Sequence, residues 1–312
     1  MNKKTLILTN SQVRSLIDMP EVLKTVENAF MLYGRNLVQM PAKIYLHLSK
    51  YDGDFRAMPA YIEGMEACGL KWVNVHPKNR RFGLPAVMAT IILSDPKTGF
   101  ALAIMDGTYI TNLRTGAAGA VAAKYLARED SSVVGLIGCG AQARTQLLAL
   151  RELFRIRLVY VWGNKPEYAK KFLKDTKHLR LNMEIKDKVS DCVREADIVV
   201  TTTPVIKPIV KSEWIRAGTH INAIGADAKG KEELEPKLLK RAKIVVDDWQ
   251  QASHSGEINV ALSRGIITGK DIHATLAEVL LGKKKGRVTQ GEITIFDSTG
   301  LAIQDIAVAN LI

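Results

Sequence analysis

A buried strand, two glycines and a helix follow one another in residues 133–150, and this succession constrains the fold more than any other feature. The stretch reads VVGLIGCGAQARTQLLAL. Gly138 permits a tight turn after the strand, Gly140 lets the backbone approach a ligand, and the small Ala143 permits close packing of helix against strand. The N–H groups at the start of the helix attract phosphate, so the pattern predicts a dinucleotide-binding turn. Its predicted pyrophosphate contacts are Gly138, Gly140, Ala141 and Gln142.

The residues around and after this turn alternate between strand and helix patterns. Apolar strands are predicted at residues 133–138, 158–162, 183–186, 198–202, 220–226 and 244–246. Helical patterns lie between most of them, including residues 166–179 and 232–241. This alternation predicts an α/β fold with a Rossmann-type doubly wound parallel sheet.

The first part of the sequence follows a different pattern. A short strand at residues 5–9 is followed by a helix at residues 18–34, which opens with Asp at the cap and Pro and Glu in the first turn. Five strand patterns then succeed one another at hairpin distances in residues 43–105, before a helix rich in Ala and Gly at residues 111–128. The pattern is typical of an α+β domain.

The end of the sequence is expected to return to this first domain. A strand is predicted at residues 292–296, and an apolar helix starts at Leu301. We therefore predict that a dinucleotide-binding domain of residues 116–294 is inserted into an α+β domain of residues 1–115 and 295–312.

Composition argues against several classes of protein. The net charge is +12, but the basic residues are spread along the chain, and the one dense run, residues 283–287, comes with no nucleic-acid-binding motif. We interpret the charge as a solvated surface that attracts anionic ligands, and predict no nucleic-acid partner. The three cysteines are widely separated and the six histidines scattered, so we expect neither a disulfide nor a metal site.

No membrane segment is expected. No apolar run approaches the roughly 20 residues that span a bilayer. The basic start is followed by an apolar stretch that breaks at residues 9–11, too early for a signal peptide. These features predict a soluble, cytoplasmic protein.

Nine stretches, in order across nearly the whole chain, resemble the ornithine cyclodeaminase/μ-crystallin family. They read QMPAKIYL, DFRAMPAY, GLKWVNVHPKN, NLRTGAAGAVAAKYLA, GLIGCGAQA, THINAIGADAKGKEEL, VVDD, GEI and ITIFDSTGLAIQD. Within the family, the archaeal alanine dehydrogenases are the most similar branch. The resemblance implies a nicotinamide cofactor, NAD or NADP, and a homodimer whose N-terminal domain both binds the substrate and forms the subunit interface.

Three basic residues of the first domain are candidates for the substrate site. Lys71 lies in a strand that is otherwise apolar on one face, where burial would lower the pKa of the ammonium group and suit it to proton transfer. A surface lysine that extends its ammonium group to water is the alternative. The resemblance implies the first, because the family has its central lysine here. It also implies that Lys43 and Arg56, in flanking strands, bind the substrate carboxylate, although each cation alone is more often a surface charge.

Asp227 is the second predicted catalytic residue. It ends the strand pattern INAIGAD, at the edge of the sheet where such folds bind their ligands. An aspartate here could also cap a following helix. The resemblance implies that it acts on the substrate amino group or on a water molecule.

The residues after the second strand of the dinucleotide domain bear on the choice of cofactor. NAD-specific folds usually have an acid there, which binds the ribose 2′-hydroxyl. Here Gly163, Asn164 and Lys165 follow, and no acid comes before Glu167. Because Asn164 and Lys165 could hold a 2′-phosphate, we expect NADP(H) to be accepted as well as NAD(H). The predicted cofactor contacts beyond the glycine turn are Arg114, Asn164, Lys165, Thr203, Ala223, Gly225 and Ser298.

Three functions share this scaffold, and Arg56 helps to choose among them. The resemblance implies that ornithine cyclodeaminases have a glutamate at this point, which suits the distal ammonium group of ornithine. A cation instead repels that group and favours a short oxo or amino acid held by its carboxylate. We therefore predict a nicotinamide-dependent L-alanine dehydrogenase that interconverts pyruvate, ammonia and L-alanine. Ornithine cyclodeaminase and cyclic imino acid (ketimine) reductase are the alternatives, and a non-enzymatic crystallin-like binder is disfavoured by the cations present.

Overall fold

The computed structural model describes residues 4–312 of the chain, so the first three residues of the basic start lie outside the described part. Contacts divide these residues into two compact units. One runs up to Arg114 and includes Leu301–Ile312, and the other is Thr115–Gly300. No helix in residues 4–312 is long and apolar enough to cross a membrane.

The elements are numbered in chain order. The strands are β1 (Leu6–Leu8), β2 (Val38–Gln39), β3 (Ile44–Leu48), β4 (Gly53–Ile62), β5 (Ala67–Val75), β6 (Val87–Ser94), β7 (Ala101–Asp106), β8 (Val133–Ile137), β9 (Leu158–Trp162), β10 (Met183–Ile185), β11 (Ile198–Thr201), β12 (His220–Ala223), β13 (Lys243–Val246), β14 (Ile272–Thr275) and β15 (Thr294–Asp297). The α-helices are α1 (Asn10–Leu16), α2 (Met19–Gly34), α3 (Thr108–Leu126), α4 (Ala141–Leu153), α5 (Pro166–Thr176), α6 (Val189–Val193), α7 (Pro236–Arg241), α8 (Trp249–Ser255), α9 (Asn259–Ser263), α10 (Leu276–Leu280) and α11 (Ala302–Leu311).

The first unit is built on a mostly antiparallel sheet in the order β1-β7-β6-β5-β4-β2, with β3 also paired to β4. Alternation along the central strands separates two faces. One face is buried under α2 and α11, which also pack against each other. Its apolar side chains are Met58, Ala60, Ile62, Val73, Ala89, Ile91 and Leu93. Helix α2 starts as predicted, because the Asp18 carboxylate accepts the Glu21 N–H at 2.9 Å.

The opposite face of this sheet is apolar, and several of its largest side chains are well exposed. Its outward side chains are Ile44, Leu46, Phe55, Ala57, Pro59, Leu70, Trp72, Ile92, Leu102 and Ile104. Phe55 and Trp72 stack with ring centroids 5.1 Å apart, and Trp72 keeps 40% of its surface exposed. A contiguous apolar surface of this kind marks an interaction site rather than an ordinary solvated face.

The second unit confirms the predicted Rossmann-type sheet. Its eight strands are all parallel, in the order β10-β9-β8-β11-β12-β15-β13-β14. The strand order reverses between β8 and β11, and this switch point is where such sheets bind ligands at the carboxyl ends of their strands. Strand β8 is buried along its whole length, as expected of a parallel strand covered on both faces.

Most predicted bounds lie within three residues of the observed ones, strand β14 was not predicted, and two predicted elements differ in extent or pairing. The helix predicted at residues 232–241 is confined to Pro236–Arg241, because Leu234 forms a parallel bridge with Val210 instead. The strand predicted at residues 292–296 is Thr294–Asp297, and it pairs with β12 and β13 of the second unit. Only the helix after it therefore belongs to the first unit.

The basic run at residues 283–287 contributes to the fold through its last residue. The Arg287 guanidinium donates to the carbonyls of Leu126, Gly218 and Glu292 at 2.7–3.2 Å. It thereby satisfies a carbonyl at the end of α3 and two loop carbonyls.

Candidate active site

Lys71 lies at the centre of a group of charged side chains in the first unit. The alternation of β5 directs it to the buried face, opposite Met58 on β4 and Ile91 on β6, and only 1% of it is exposed. It is therefore not a snorkelling surface lysine. Its Nζ lies 2.6 Å from Oδ2 of Asp305 on α11.

Asp305 joins Lys71 to a second cation. Its other oxygen, Oδ1, accepts from Nε of Arg114 on α3 at 2.8 Å. The neighbouring Gln304 accepts from Arg114 Nη1 at 2.8 Å through Oε1. All four side chains are at least 94% buried. Arg114, predicted as a cofactor contact, thus lies beside the predicted catalytic lysine, while Asp305 and Gln304 were not singled out from the sequence.

Arg56 lies on the same buried face as Lys71, one strand away. Its Nε and Nη2 donate to the two carboxylate oxygens of Asp54 at 2.8 and 3.3 Å, and its guanidinium carbon lies 5.2 Å from the ring centre of Tyr45. Lys43, half-buried, directly precedes β3. The structure therefore brings both predicted carboxylate-binding residues into the unit that contains Lys71.

The electrostatics around Lys71 suit proton transfer. Burial lowers the pKa of Lys71 to about 7, and the positive charges of Arg114 and Lys43 act in the same direction. The carboxylate of Asp305 opposes them. Near neutral pH the amine can consequently both donate and accept a proton, as a general acid–base catalyst requires.

In the second unit, the glycine turn has the predicted geometry. Gly138 has φ +114°, a conformation that L side chains rarely adopt, and its N–H donates to the Trp162 carbonyl at 2.9 Å. Gly140 is the cap residue of α4, with no side chain capping the first turn. A Cβ added to Gly140 would meet no atom within 4 Å, so open space lies beside the turn. Ala141 and Gln142 follow as the first residues of the helix.

Arg144 orients the turn and was not predicted from the sequence. Its Nη1 donates to the carbonyls of Cys139 at 2.7 Å and Gly140 at 2.8 Å, and its Nη2 donates to Asp175 at 2.7 Å. In a trans peptide the C=O and N–H groups point in opposite directions. The N–H groups of Gly140 and Ala141 therefore point away from Arg144. A basic residue one turn into such a helix was the only available signal.

The corner after β9 is exposed and carries no carboxylate of its own. Asn164 and Lys165 are both exposed, and Lys165 precedes α5 with its Nζ 6.0 Å from the ring centre of Tyr168. Gly163 lies against the glycine turn, because a Cβ there would come 2.8 Å from Cys139 Sγ. The two predicted 2′-phosphate contacts thus flank the predicted pyrophosphate turn.

The loops after β11 and β12 are tied together by one buried carboxylate. Glu233 Oε1 accepts from the N–H and hydroxyl of Thr203 at 2.6 Å, and Oε2 accepts from the Gly225 N–H at 2.9 Å. Ala223, fully buried, ends β12. The same loop carries Asp227, whose Oδ1 accepts from Lys231 Nζ at 2.7 Å. No helix begins between Asp227 and Pro236, so the helix-cap interpretation of Asp227 does not apply.

Three further buried carboxylates continue from Glu233 along this edge. Glu257 accepts the backbone N–H groups of Glu233 and Leu234 at 2.7–3.1 Å, and Asp297 accepts those of Glu257 and Ile258 at 2.9 and 3.1 Å. Asp247 accepts the N–H groups of Thr299 at 2.6 Å and Gly300 at 2.8 Å. We call Glu233, Glu257, Asp297 and Asp247 the carboxylate chain.

Burial raises the pKa values of three members of this chain, Asp297, Glu257 and Glu233. The pKa of Asp297 is raised to about 8, with the nearby charge of Asp247 adding to the effect of burial. The pKa of Glu257 is raised well above its usual value by burial and by the charge of Glu233, whose own pKa burial also raises. Near neutral pH, Asp297 therefore carries a proton.

The residues of the second unit fit a bound dinucleotide. The open space at Gly140 and the uncapped start of α4 suit a pyrophosphate, which would accept the N–H groups that Arg144 orients. Ser298 Oγ is buried and has no hydrogen-bond partner among residues 4–312, as expected of a hydroxyl whose partner is a ligand. Within the same residues, no group of His, Cys, Asp and Glu could hold a metal ion.

Comparison with known proteins agrees with this geometry. Residues 3–312 match the sequence profile of the ornithine cyclodeaminase/mu-crystallin family. The chain is 55% identical over 311 residues to the alanine dehydrogenase of Archaeoglobus fulgidus, covering 99% of this chain and 94% of that protein. The chain therefore belongs to the ornithine cyclodeaminase/mu-crystallin family, as the nine motifs indicated.

The solved structures of two relatives are similar to this chain over nearly its whole length. An archaeal alanine dehydrogenase dimer with bound NAD matches with a TM-score of 0.94 and 56% identity, covering 98% of this chain and 94% of that one. The Delta(1)-pyrroline-2-carboxylate reductase of Thermococcus litoralis, in complex with NADH and L-proline, matches with a TM-score of 0.96 and 41% identity, covering 98% of this chain and 96% of that one.

Proposed function

We propose that the protein is a nicotinamide-dependent L-alanine dehydrogenase, which forms L-alanine from pyruvate and ammonia and catalyses the reverse deamination. The observation that carries the proposal is the buried lysine of pKa about 7 among cations, in a chain 55% identical to an alanine dehydrogenase. A small carboxylate substrate complements such a group of charges. The identity to an alanine dehydrogenase supports an oxidoreductase rather than a crystallin-like binder.

The first unit supplies what a 2-oxo or 2-amino acid needs. Lys43 and Arg56 are proposed to hold the substrate carboxylate, with Arg56 kept in place by Asp54. The buried Arg56 disfavours a substrate with a distal ammonium group, which argues against ornithine. Asp227 remains a proposed catalytic residue that positions ammonia or water.

Lys71 is proposed to carry the proton. In the reductive direction its ammonium group donates to the oxygen or nitrogen at the reacting carbon, and in the oxidative direction its neutral amine accepts the proton back. NAD(H), held by the backbone N–H groups of Gly140 and Ala141 and by Thr203 and Ser298, would supply or accept the hydride.

The test uses the purified protein with three substrates: pyruvate plus ammonia and Δ1-pyrroline-2-carboxylate in a nicotinamide absorbance assay, and ornithine in an assay for proline, because cyclisation of ornithine leaves the cofactor unchanged overall. Pyruvate plus ammonia should drive oxidation of NADH, whereas ornithine should give no proline. A Lys71→Met variant is the control for background oxidation. Failure of pyruvate plus ammonia at all ammonia concentrations would refute the proposal.

A cyclic imino acid reductase is the second candidate function. It is favoured by the TM-score of 0.96 to a reductase in complex with NADH and L-proline. Its substrate also has one carboxylate and no distal charge, so Arg56 does not exclude it. Faster oxidation of NADH with Δ1-pyrroline-2-carboxylate than with pyruvate plus ammonia would favour this function.

The apolar outer face of the first unit is proposed to bind a second copy of the chain. The face is contiguous across β3 to β7, and a relative with 56% identity has been solved as a dimer. Ile92→Glu would place a carboxylate on this face and should give a monomer in light scattering. Ile206→Glu is the matched control, because Ile206 is 66% exposed in the second unit and should leave the dimer intact. A dimeric Ile92→Glu variant would contradict the assignment of this face.

A further inference from the structure

Asp305 is the single carboxylate in direct contact with Lys71 among residues 4–312. The charged groups that act on Lys71 are Asp305 from α11, Arg114 from α3, and Lys43 ahead of β3. On β4, Arg56 is already paired with Asp54. The residues that α2 and β6 bury toward this face are apolar. Of the three charges that act on Lys71, Asp305 alone favours its protonated form.

The carboxylate also has a geometric role, because its oxygens serve different cations. Oδ2 lies 2.6 Å from Lys71 Nζ, and Oδ1 accepts from Arg114 Nε at 2.8 Å. Two cations in one buried site would repel each other, and a carboxylate between them removes that repulsion. The positions of the amine and the guanidinium are thereby set by one side chain.

Gln304 provides a second contact between α11 and Arg114. Its Oε1 accepts from both Arg114 Nη1 and the Leu301 N–H, at 2.8 and 3.3 Å, which fixes which end of the amide faces the guanidinium. Helix α11 therefore binds Nε of Arg114 through Asp305 and Nη1 through Gln304.

We infer that Asp305 is a positioning residue for the proposed reaction: it holds the Lys71 amine and the Arg114 guanidinium side by side and lets Lys71 retain a proton, without touching the substrate. This inference rests on the proposed function. It also assigns a reason for the Gln-Asp pair in the otherwise apolar stretch LAIQDIAVA of this helix.

Two variants separate the charge of Asp305 from its position. Asp305→Asn removes the charge and nearly keeps the shape, so Lys71 should titrate about one to three pH units lower. The alkaline limb of kcat/KM for reductive amination should move with it. Asp305→Glu keeps the charge but displaces the amine by a methylene, so kcat should fall about 10²-fold with little change in KM or in the Lys71 titration.

The Lys71 titration is measured directly by ¹³C NMR on protein labelled at lysine Cε. The Lys71 signal is assigned by its loss in Lys71→Arg.

Asp197→Asn is the matched control. Asp197 is another buried aspartate that binds two arginines, Arg128 and Arg216, at 2.5 and 2.7 Å, but it lies before β11 in the second unit. This variant should lose stability without moving the Lys71 titration.

The outcomes are distinct. An unchanged Lys71 titration in Asp305→Asn, or a wild-type kcat in Asp305→Glu, would overturn the inference. If Asp305→Asn does not fold, Asp305→Glu alone decides, because it retains the buried charge. A wild-type protein that fails to turn over any of the three substrates refutes the proposed function instead, and the NMR titrations still show whether Asp305 controls Lys71.

Discussion

The carboxylate chain makes a testable prediction about stability and pH, centred on Asp297. The side chain is fully buried, and its two oxygens accept the N–H groups of Glu257 and Ile258. We consider Asp297→Asn, which keeps the shape and removes the ionisable group. One of the two N–H groups then faces an amide NH2 and loses its acceptor, at a cost of about 1–3 kcal/mol.

The direction in which stability changes with pH follows from the direction of the pKa shift. The pKa of Asp297 is raised from 3.8 to about 8, so the folded protein binds more protons than the unfolded chain between these values. The free energy of unfolding contributed by this group is therefore fully present below pH 4 and falls as the pH rises to 8. At about 1.4 kcal/mol per pKa unit, the total change is on the order of 5 kcal/mol.

The assay is urea unfolding at fixed protein concentration at pH 5, 7 and 9, for the wild type and the variant. At pH 5 the two proteins should differ by no more than about 1–2 kcal/mol, because the wild type has lost only about 1.6 kcal/mol between pH 3.8 and pH 5. At pH 7 and pH 9 the variant should be the more stable protein, because by then the wild type has lost about 4 kcal/mol or more. Groups that Asp297 does not act on cancel in the difference, including Lys71, whose lowered pKa of about 7 makes stability rise between pH 7 and pH 10.5 in both proteins. Glu257, whose pKa the charge of Asp297 helps to raise, changes in the same direction as Asp297 and adds to the difference.

An exposed aspartate provides the control. Asp187→Asn should leave the pH dependence as in the wild type, because this residue is exposed. A difference between the wild type and Asp297→Asn that stays constant from pH 5 to pH 9 would refute the reasoning.

Three further predictions concern catalysis and the cofactor. Lys71→Met should lower kcat about 10²–10⁴-fold and leave NADH affinity nearly unchanged, and near-normal turnover would exclude Lys71 as the proton carrier. Gly140→Val should fold normally, because Gly140 has an ordinary φ of −81° and open space around it. The variant should nevertheless bind NADH at least tenfold more weakly in a fluorescence titration. Unchanged affinity would show that the pyrophosphate does not bind at this turn. The wild type should bind NADPH as well as NADH, and Lys165→Asp should weaken NADPH binding alone; a wild type that strongly prefers NADH would contradict our interpretation of the exposed corner after β9.

Local patterns were sufficient to predict most of the fold. The alternation of apolar strands with helices, and the glycine turn between them, are properties of short stretches, and the parallel sheet follows from general rules of connection. The two main errors came from long-range pairing. Leu234 forms a bridge with Val210 instead of continuing a helix, and Thr294–Asp297 lies between two strands of the second unit.

The site was predicted less completely, for a related reason. Lys71 was recognisable as a cation in an apolar strand, but no residue near it in sequence identifies the carboxylate that contacts it. The signal for Asp305 is a charged residue in an apolar helix, which requires a buried partner without identifying it. Arg144 and Glu233 likewise act through backbone groups, and side-chain motifs do not reveal which backbone groups need a partner.

The place of α11 in the first unit has a consequence for the order in which the protein can fold during synthesis. Arg114 and its partner Asp305 are 191 positions apart, and the whole second unit lies between them. A ribosome therefore completes the inserted unit before the helix that covers Lys71 exists. Until then, Lys71 and Arg114 lack the carboxylate that lies between them in the folded protein, and the apolar side chains that α11 covers remain exposed.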